Sequence, residues 1–344
     1  MSQHEITSKH PLLDKNGHLI ETGYAKSLIL DYDRKAIKAK SLRIKEWDYY
    51  LIYNDDFGVA LTVDDNSYMA LDSISLLDFR KPWEHTNSPM KFMTMGKRNF
   101  PTETSKGDVV ANCKNYSISF KHNGDHRLLS FYMKKFKDGK PIKGEIRLEN
   151  PLQDSMVICT PWREKKTAFY YNQKIIAMPA SGKVEFDGRT YEFRREDSFG
   201  LLDWGRGVWT YKNTWYWGAA QGMVDGHRFG WNIGYGFGDT SNASENMFFI
   251  NDEAYKLRDV HFEIPYNKKN KEDYLSPWTF TSESGDINLT FNPLIDRYSN
   301  TNALLIQSKQ HQVFGVFNGK ITVKGKAFEI DNLIGFAEKV KNRW

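Results

Sequence analysis

Five of the ten tryptophans fall between Trp204 and Trp231, and two carboxyl groups bracket them, Asp203 and Glu245. A carboxyl group among indoles is poorly solvated, which raises its pKa and suits it to donate a proton near neutral pH. Indole and phenol faces also stabilise a cation that forms beside them. Arg206 lies three residues after Asp203, either to orient it or hold an anionic ligand group, or to tie it up as a structural ion pair. In the run Trp215-Tyr216-Trp217, strand alternation puts both tryptophans on one face. From Trp231 to Phe237 it puts Trp231, Ile233, Tyr235 and Phe237 on one face, with Asn232, Gly234 and Gly236 on the other. A glycine face admits a backbone, a large ring or a ligand at close range. The candidate catalytic residues are therefore Asp203 and Glu245. The candidate binding residues are Trp204, Arg206, Trp215, Trp217, Trp231, Tyr235 and Asn246. Barrel core is the competing reading for the tryptophans.

Three chemistries fit these residues. The first is binding of a small apolar or amphipathic molecule, with proton-initiated hydration, cyclisation or isomerisation and Asp203 as the acid. The second is carbohydrate chemistry, with tryptophans stacked on sugars and Asp203 and Glu245 as a glycosidase-like pair. The third is a non-catalytic ligand-binding or stress-response protein. Other templates are missing. There is no dinucleotide fingerprint opening a helix, no phosphate-loop lysine motif, no His-Glu-x-x-His and no Gly-x-Ser-x-Gly elbow. The two cysteines, Cys113 and Cys159, lie far apart and away from other metal-ligand types, so two reduced thiols are expected. No metal or cofactor is implied.

Such residues need a scaffold, and the pattern along the chain is β throughout. Ser27–Asp31, Tyr49–Tyr53, Val59–Val63, Ser117–Phe120, Leu128–Met133, Thr167–Tyr171, Lys183–Phe186 and Thr190–Arg194 read as strands. Asn123-Gly124 and Asp187-Gly188 are hairpin signals. Residues 67–79 fit a strand or a short helix. An internal repeat organises the rest. Gly182 to Gly188, then Gly200 and Asp203, match Gly319 to Gly325, then Gly335 and Glu338, with a two-residue gap. The duplication predicts two tandem antiparallel β-barrels, over residues 1–208 and 209–344.

At 344 residues the chain has room for both, and its 40% hydrophobic and 15% aromatic content argues against disorder. Net charge is only +5 with the basic residues dispersed, which argues against nucleic-acid binding. Residues 1–14 contain no apolar leader core, and no window holds the roughly 18 apolar residues of a membrane helix. A cytoplasmic protein with a small-molecule partner and no integral membrane segment is expected.

The chain resembles the bacterial DUF2804 family over nearly its whole length. The match is carried by Lys45-Glu46-Trp47-Asp48-Tyr49-Tyr50, Asp203-Trp204-Gly205-Arg206-Gly207, Trp215-Tyr216-Trp217-Gly218, Glu245-Asn246 and Gly335-Phe336-Ala337-Glu338. That family is more distantly similar to the carotenoid 1,2-hydratase and AttH-like proteins. The resemblance implies two lipocalin-like (calycin-type) domains and an acidic residue near the pocket, for which Gly200 and Asp203 are the counterparts. The hydratases tend to carry Asp-His where this chain has Asp203-Trp204.

Overall fold

The computed structural model describes residues 3–151, 153–303 and 306–343. Two large curled sheets make up the molecule, and regular α-helix is missing among the described residues. No helix there is long and apolar enough to cross a membrane. The first sheet runs, edge to edge, through Trp83–Asn87, Met69–Asp78, Phe57–Asp65, Ile44–Tyr53, Phe199–Val208, Phe169–Phe186, Lys140–Glu149, His126–Lys137, Tyr116–His122 and Val109–Cys113. The second runs through Glu253–Lys256, Met247–Ile250, His227–Tyr235, Lys212–Val224, Lys326–Arg343, Ile306–Val323, Ile287–Ala303, Trp278–Thr281 and His261–Glu263.

Read outward from Ile44–Tyr53 and from Lys212–Val224, the two orders coincide except for Val109–Cys113, an extra strand at one edge of the first sheet, as expected of a duplicated lipocalin-like barrel. The repeated hairpins hold equivalent places. Asp187-Gly188 and Lys324-Gly325 each carry two positive φ angles in succession, +50° and +74°, then +48° and +79°. That is the two-residue turn whose twist matches a hairpin. Gly182 and Gly319 also match, at φ +141° and +132°, each packed against a carbonyl of the next strand, Glu145 and Asn288.

Curling brings distant strands together. Asn87 Nδ2 donates to the Lys135 and Phe136 carbonyls at 3.0 Å, joining one edge of the first sheet to His126–Lys137. In the second barrel the Phe262 N–H donates to Tyr235 Oη at 3.3 Å. Each barrel encloses apolar side chains, with Ile52, Phe120 and Leu148 in the first and Trp231, Phe280 and Phe317 in the second.

The undecided stretch is a strand, Met69–Asp78, paired on both sides. Ser27–Asp31 contributes only Leu30–Asp31 to regular structure. There the chain crosses Tyr171, whose hydroxyl donates to the Leu30 carbonyl at 3.0 Å, and caps the barrel instead of joining its sheet. Cys113 is exposed and Cys159 buried, as separate free thiols.

Ile44–Tyr53 and Phe199–Val208 are buried along almost every residue. One face of this pair lines the first barrel, and the other packs on the second barrel. Tyr53 Oη donates to the Ile334 carbonyl at 3.2 Å, Phe79 stacks on Phe314 at 5.8 Å, and Arg297 Nη1 donates to Ser75 Oγ at 2.7 Å. Between the barrels this contact opens into a cavity.

Candidate functional site

Three adjacent strands of the first barrel build one wall. Tyr49, Asp203 and Lys174 stand level across them, and Trp47, Gly205 and Asn172 form the next level. Asp203 Oδ1 accepts hydrogen bonds from Asn172 Nδ2 at 2.6 Å and Lys174 Nζ at 2.8 Å. Its Oδ2 accepts from Trp47 Nε1 at 3.1 Å. Gly205 makes this possible, because a Cβ there would sit inside the Trp47 ring. The ammonium of Lys174 also lies 4.0 Å from the Trp217 ring centre, so carboxylate and indole share one buried cation.

The second barrel repeats the arrangement position by position. Glu338 pairs with Trp217 and Gln312 as Asp203 pairs with Tyr49 and Lys174. Two residues on, Val340 pairs with Trp215 and Gln310 as Gly205 pairs with Trp47 and Asn172. The hydrogen bonds follow. Glu338 Oε1 accepts from Trp215 Nε1 at 2.7 Å, and Oε2 accepts from Gln312 Nε2 at 3.0 Å and Gln310 Nε2 at 3.3 Å. Each half thus presents a carboxyl group held by an indole and two side chains of the neighbouring strand.

The copies differ in charge. Lys174 supplies Asp203 with an ammonium, whereas Gln312 offers Glu338 a neutral amide. Burial without a directly bonded cation pushes the Glu338 carboxyl up to about 7. The Gln312 amide accommodates the proton. Its Oε1 is buried without a hydrogen-bond partner, and turning the amide over sets that oxygen against Glu338 Oε2, where it accepts from the protonated acid.

The cavity is about 610 Å³. Trp47, Tyr170, Trp209, Trp215, Trp217 and Phe237 surround the carboxyl groups. Phe237 meets Tyr170, Trp209 and Trp215 edge to face, with ring centres 4.9, 5.0 and 5.2 Å apart. The rest of the lining carries hydroxyl groups of Thr62, Ser73, Thr86, Ser88, Ser299 and Thr301. Arg297, a second cation, pairs with Gln312 beside Glu338, and its charge partly opposes the rise in the Glu338 pKa. Glu245 enters beside Gly234, where a Cβ would stand 3.1 Å from Oε1. Burial raises the Glu245 pKa, and it pushes that of Asp64, also in the wall, up to about 7.

Of the sequence candidates, Asp203, Glu245, Trp215 and Trp217 meet in this cavity. The others lie elsewhere. Trp204 and Arg206 alternate with Asp203 and so point through the opposite face. Trp204 packs edge on against Tyr32 and Tyr171, at 6.4 and 5.7 Å. Arg206 bonds Asp48 Oδ1 at 3.0 Å and lies over the Trp204 ring, so the Asp203–Arg206 pairing gives way to Arg206–Asp48. Trp231 is core of the second barrel, edge on to Phe317 at 5.1 Å. Tyr235 stacks on Tyr216 at 4.6 Å outside the cavity. Asn246 is structural, accepting from the Gly234 N–H at 2.6 Å.

Sequence reasoning left out Trp47, Lys174, Asn172, Gln310, Gln312 and Glu338. For Glu338 the signal was present, since the repeat aligns it with Asp203. For Trp47 the family-like segment around it was present. Lys174 and the amides carry no local signal, because register alone brings them to the acids.

The family model described as a domain of unknown function, DUF2804, matches residues 3–344. No curated protein matches the chain. Among solved structures, CghA with Sch210972 superposes with a TM-score of 0.53 at 10% identity, covering 96% of each chain. Kievitone hydratase from Nectria haematococca gives 0.47 at 11% identity, covering 87% of this chain and 88% of the other. A putative AttH from Nitrosomonas europaea gives 0.46 at 12% identity, covering 90% and 96%. At these identities the likeness concerns the fold.

Proposed function

The chain belongs to the DUF2804 family, and from the geometry of its cavity we propose that it binds a small, amphipathic, unsaturated molecule between the barrels and catalyses proton-initiated hydration, cyclisation or isomerisation. The observation that carries this reading is the duplicated acid–indole unit, with one copy matched to an ammonium and the other to neutral amides. Two carboxyl groups whose surroundings separate their behaviour divide the roles of acid and base.

In this reading Glu338 gives its proton to an unsaturated carbon. The cation that forms on the neighbouring carbon lies among the Trp47, Trp215 and Trp217 rings and near the Asp203 and Glu245 carboxyl groups, which offset its charge. Water then adds through oxygen and Asp203 takes its proton, for a net gain of one water. In cyclisation a second double bond supplies the electron pair, and the cation this leaves loses a proton to Asp203. In isomerisation a neighbouring carbon loses its proton to Asp203. In each case the proton taken by Asp203 exchanges with solvent, and Glu338 takes up a proton before the next turnover. Lys174 keeps Asp203 aimed into the cavity. Asp203 was the sequence-based choice of acid. Its three donors, one of them charged, favour the acceptor role, which leaves donation to its repeat counterpart.

Carbohydrate is the second reading, favoured by the hydroxyl groups of the lining and by tryptophans able to stack on sugar rings. One experiment separates the two. Terpenoid, polyphenol and oligosaccharide panels are incubated with the protein in D2O and products are analysed by mass spectrometry. Proton-initiated chemistry places one solvent deuteron on carbon, and Glu338→Gln abolishes it. Released reducing ends with no carbon-bound deuterium would replace this reading with glycoside hydrolysis.

A further inference from the structure

A second concavity, of about 1060 Å³, lies where the Lys212–Val224, Ile306–Val323 and Lys326–Arg343 strands begin and end. It is distinct from the aromatic cavity. Trp215 and Ser308 line the cavity, whereas their neighbours Thr214, Gln307 and Lys309 line the cleft. Phe237 turns into the cavity while Gly236 and Gly238 line the cleft.

Its charge is unusual for a sheet surface. Lys212 stands opposite Arg343, and Lys341 stands opposite Lys309. Lys341 and Arg343 are two residues apart, so all four cations share one face across three adjacent strands, about 12 Å apart at their widest by strand spacing and rise. Like charges placed directly opposite destabilise a sheet. Lys212, Lys309 and Arg343 form no ion pair among the described residues. Lys341 Nζ lies 4.0 Å from Glu272 Oε2, but the other oxygen of Glu272 is held by Lys339. Arg163 faces them from the 162–164 loop, forked onto Asp239 at 2.5 and 3.0 Å. Five cations therefore line the cleft against two carboxylates, Glu164 and Asp239.

We propose that this cleft binds a small multivalent anion of the phosphate or pyrophosphate class, with Lys212, Lys309, Lys341 and Arg343 as its cations. A bound dianion turns two repulsive cross-strand pairs into charge-assisted contacts, and arginine grips a phosphate group through two parallel N–H donors. The site stands apart from the proposed reaction, so either can fail alone.

The test is calorimetric titration of the full chain with sodium pyrophosphate at low and raised NaCl. Saturable binding of one pyrophosphate per chain is expected, weakening as salt rises. The double variant Lys309→Gln/Lys341→Gln is expected to bind at least about tenfold more weakly, since each charged contact is worth about that factor. A double variant on two distant strands of the first barrel, Lys140→Gln/Lys183→Gln, is expected to bind like the parent. Melting curves verify that both variants fold. No saturable heat with the parent would overturn the proposal, as would equal loss in the two double variants. Binding to vesicles rich in anionic phospholipid without pyrophosphate binding would also overturn it, in favour of a membrane-surface patch.

Discussion

At the scale of single residues, the difference between Lys174 and Gln312 sets the two carboxyl groups apart. Glu338 has a folded-state pKa raised to about 7, above its ordinary value of 4.5. Below about 4.5 the acid is protonated folded and unfolded, and it adds no pH dependence. Between about 4.5 and 7 the folded state holds the proton and the unfolded state does not, so stability falls as pH rises through this window. Above 7 the loss is complete. Glu338→Gln removes it, and urea unfolding is expected to show a variant more stable than the parent by on the order of 2–3 kcal/mol at pH 8 and little changed at pH 4.5. Lys174→Gln rebuilds the Glu338 environment around Asp203. It leaves a buried carboxylate without its cation, an expected cost of about 3–5 kcal/mol at pH 8. Urea melts of the parent and the variant measure this. The sequence made Asp203 conspicuous through its tryptophans and offered Glu338 through the repeat. It hid Lys174, because a lysine between Gln173 and Ile175 looks like any solvated strand residue until pairing sets it against a carboxylate.

At the scale of elements, Gly205 links strand geometry to the site. Its pairing with Trp47 brings an indole over the backbone where a side chain would otherwise stand. Gly205→Ala is expected to lower stability by about 1–3 kcal/mol through overpacking and to release Trp47 from Asp203. The melting temperature and a red shift of tryptophan emission report the two effects separately. Hairpins were legible wherever Asn-Gly or Asp-Gly fixed the turn. Strand lengths were not. Phe169–Phe186 runs through an irregularity between Ile175 and Met178, with Ala177 at φ +60°, which resets the alternation that marks one strand in a sequence. Gly236, at φ +92°, likewise turns Phe237 away from the face shared by Trp231 and Ile233 and into the cavity.

At the scale of the whole molecule, the site belongs to neither barrel alone. Strand alternation separates two faces, but here both are buried, one inside a barrel and one between barrels. Pattern alone therefore could not say that Trp231 fills a core while Trp215 and Trp217 face the other half. Tyr53, Phe79, Phe314 and Phe336, all buried, form much of the contact between halves. With so much apolar surface shared, the halves are expected to unfold together, in one calorimetric transition whose van't Hoff and calorimetric enthalpies agree. Two resolved transitions would show that each barrel stands without the other. Separate expression of the proposed halves 1–208 and 209–344 is expected to give insoluble products that become soluble when produced together.

Glu338 is expected to carry a proton at the cavity near neutral pH. Infrared difference spectroscopy of the parent against Glu338→Gln, titrated from pH 5 to about pH 9, measures this directly. A protonated-carboxyl band is expected in the parent, missing from the variant, that disappears with a midpoint near 7. A difference spectrum showing Glu338 ionised across the whole range would contradict it and remove the acid on which the proposed reaction depends.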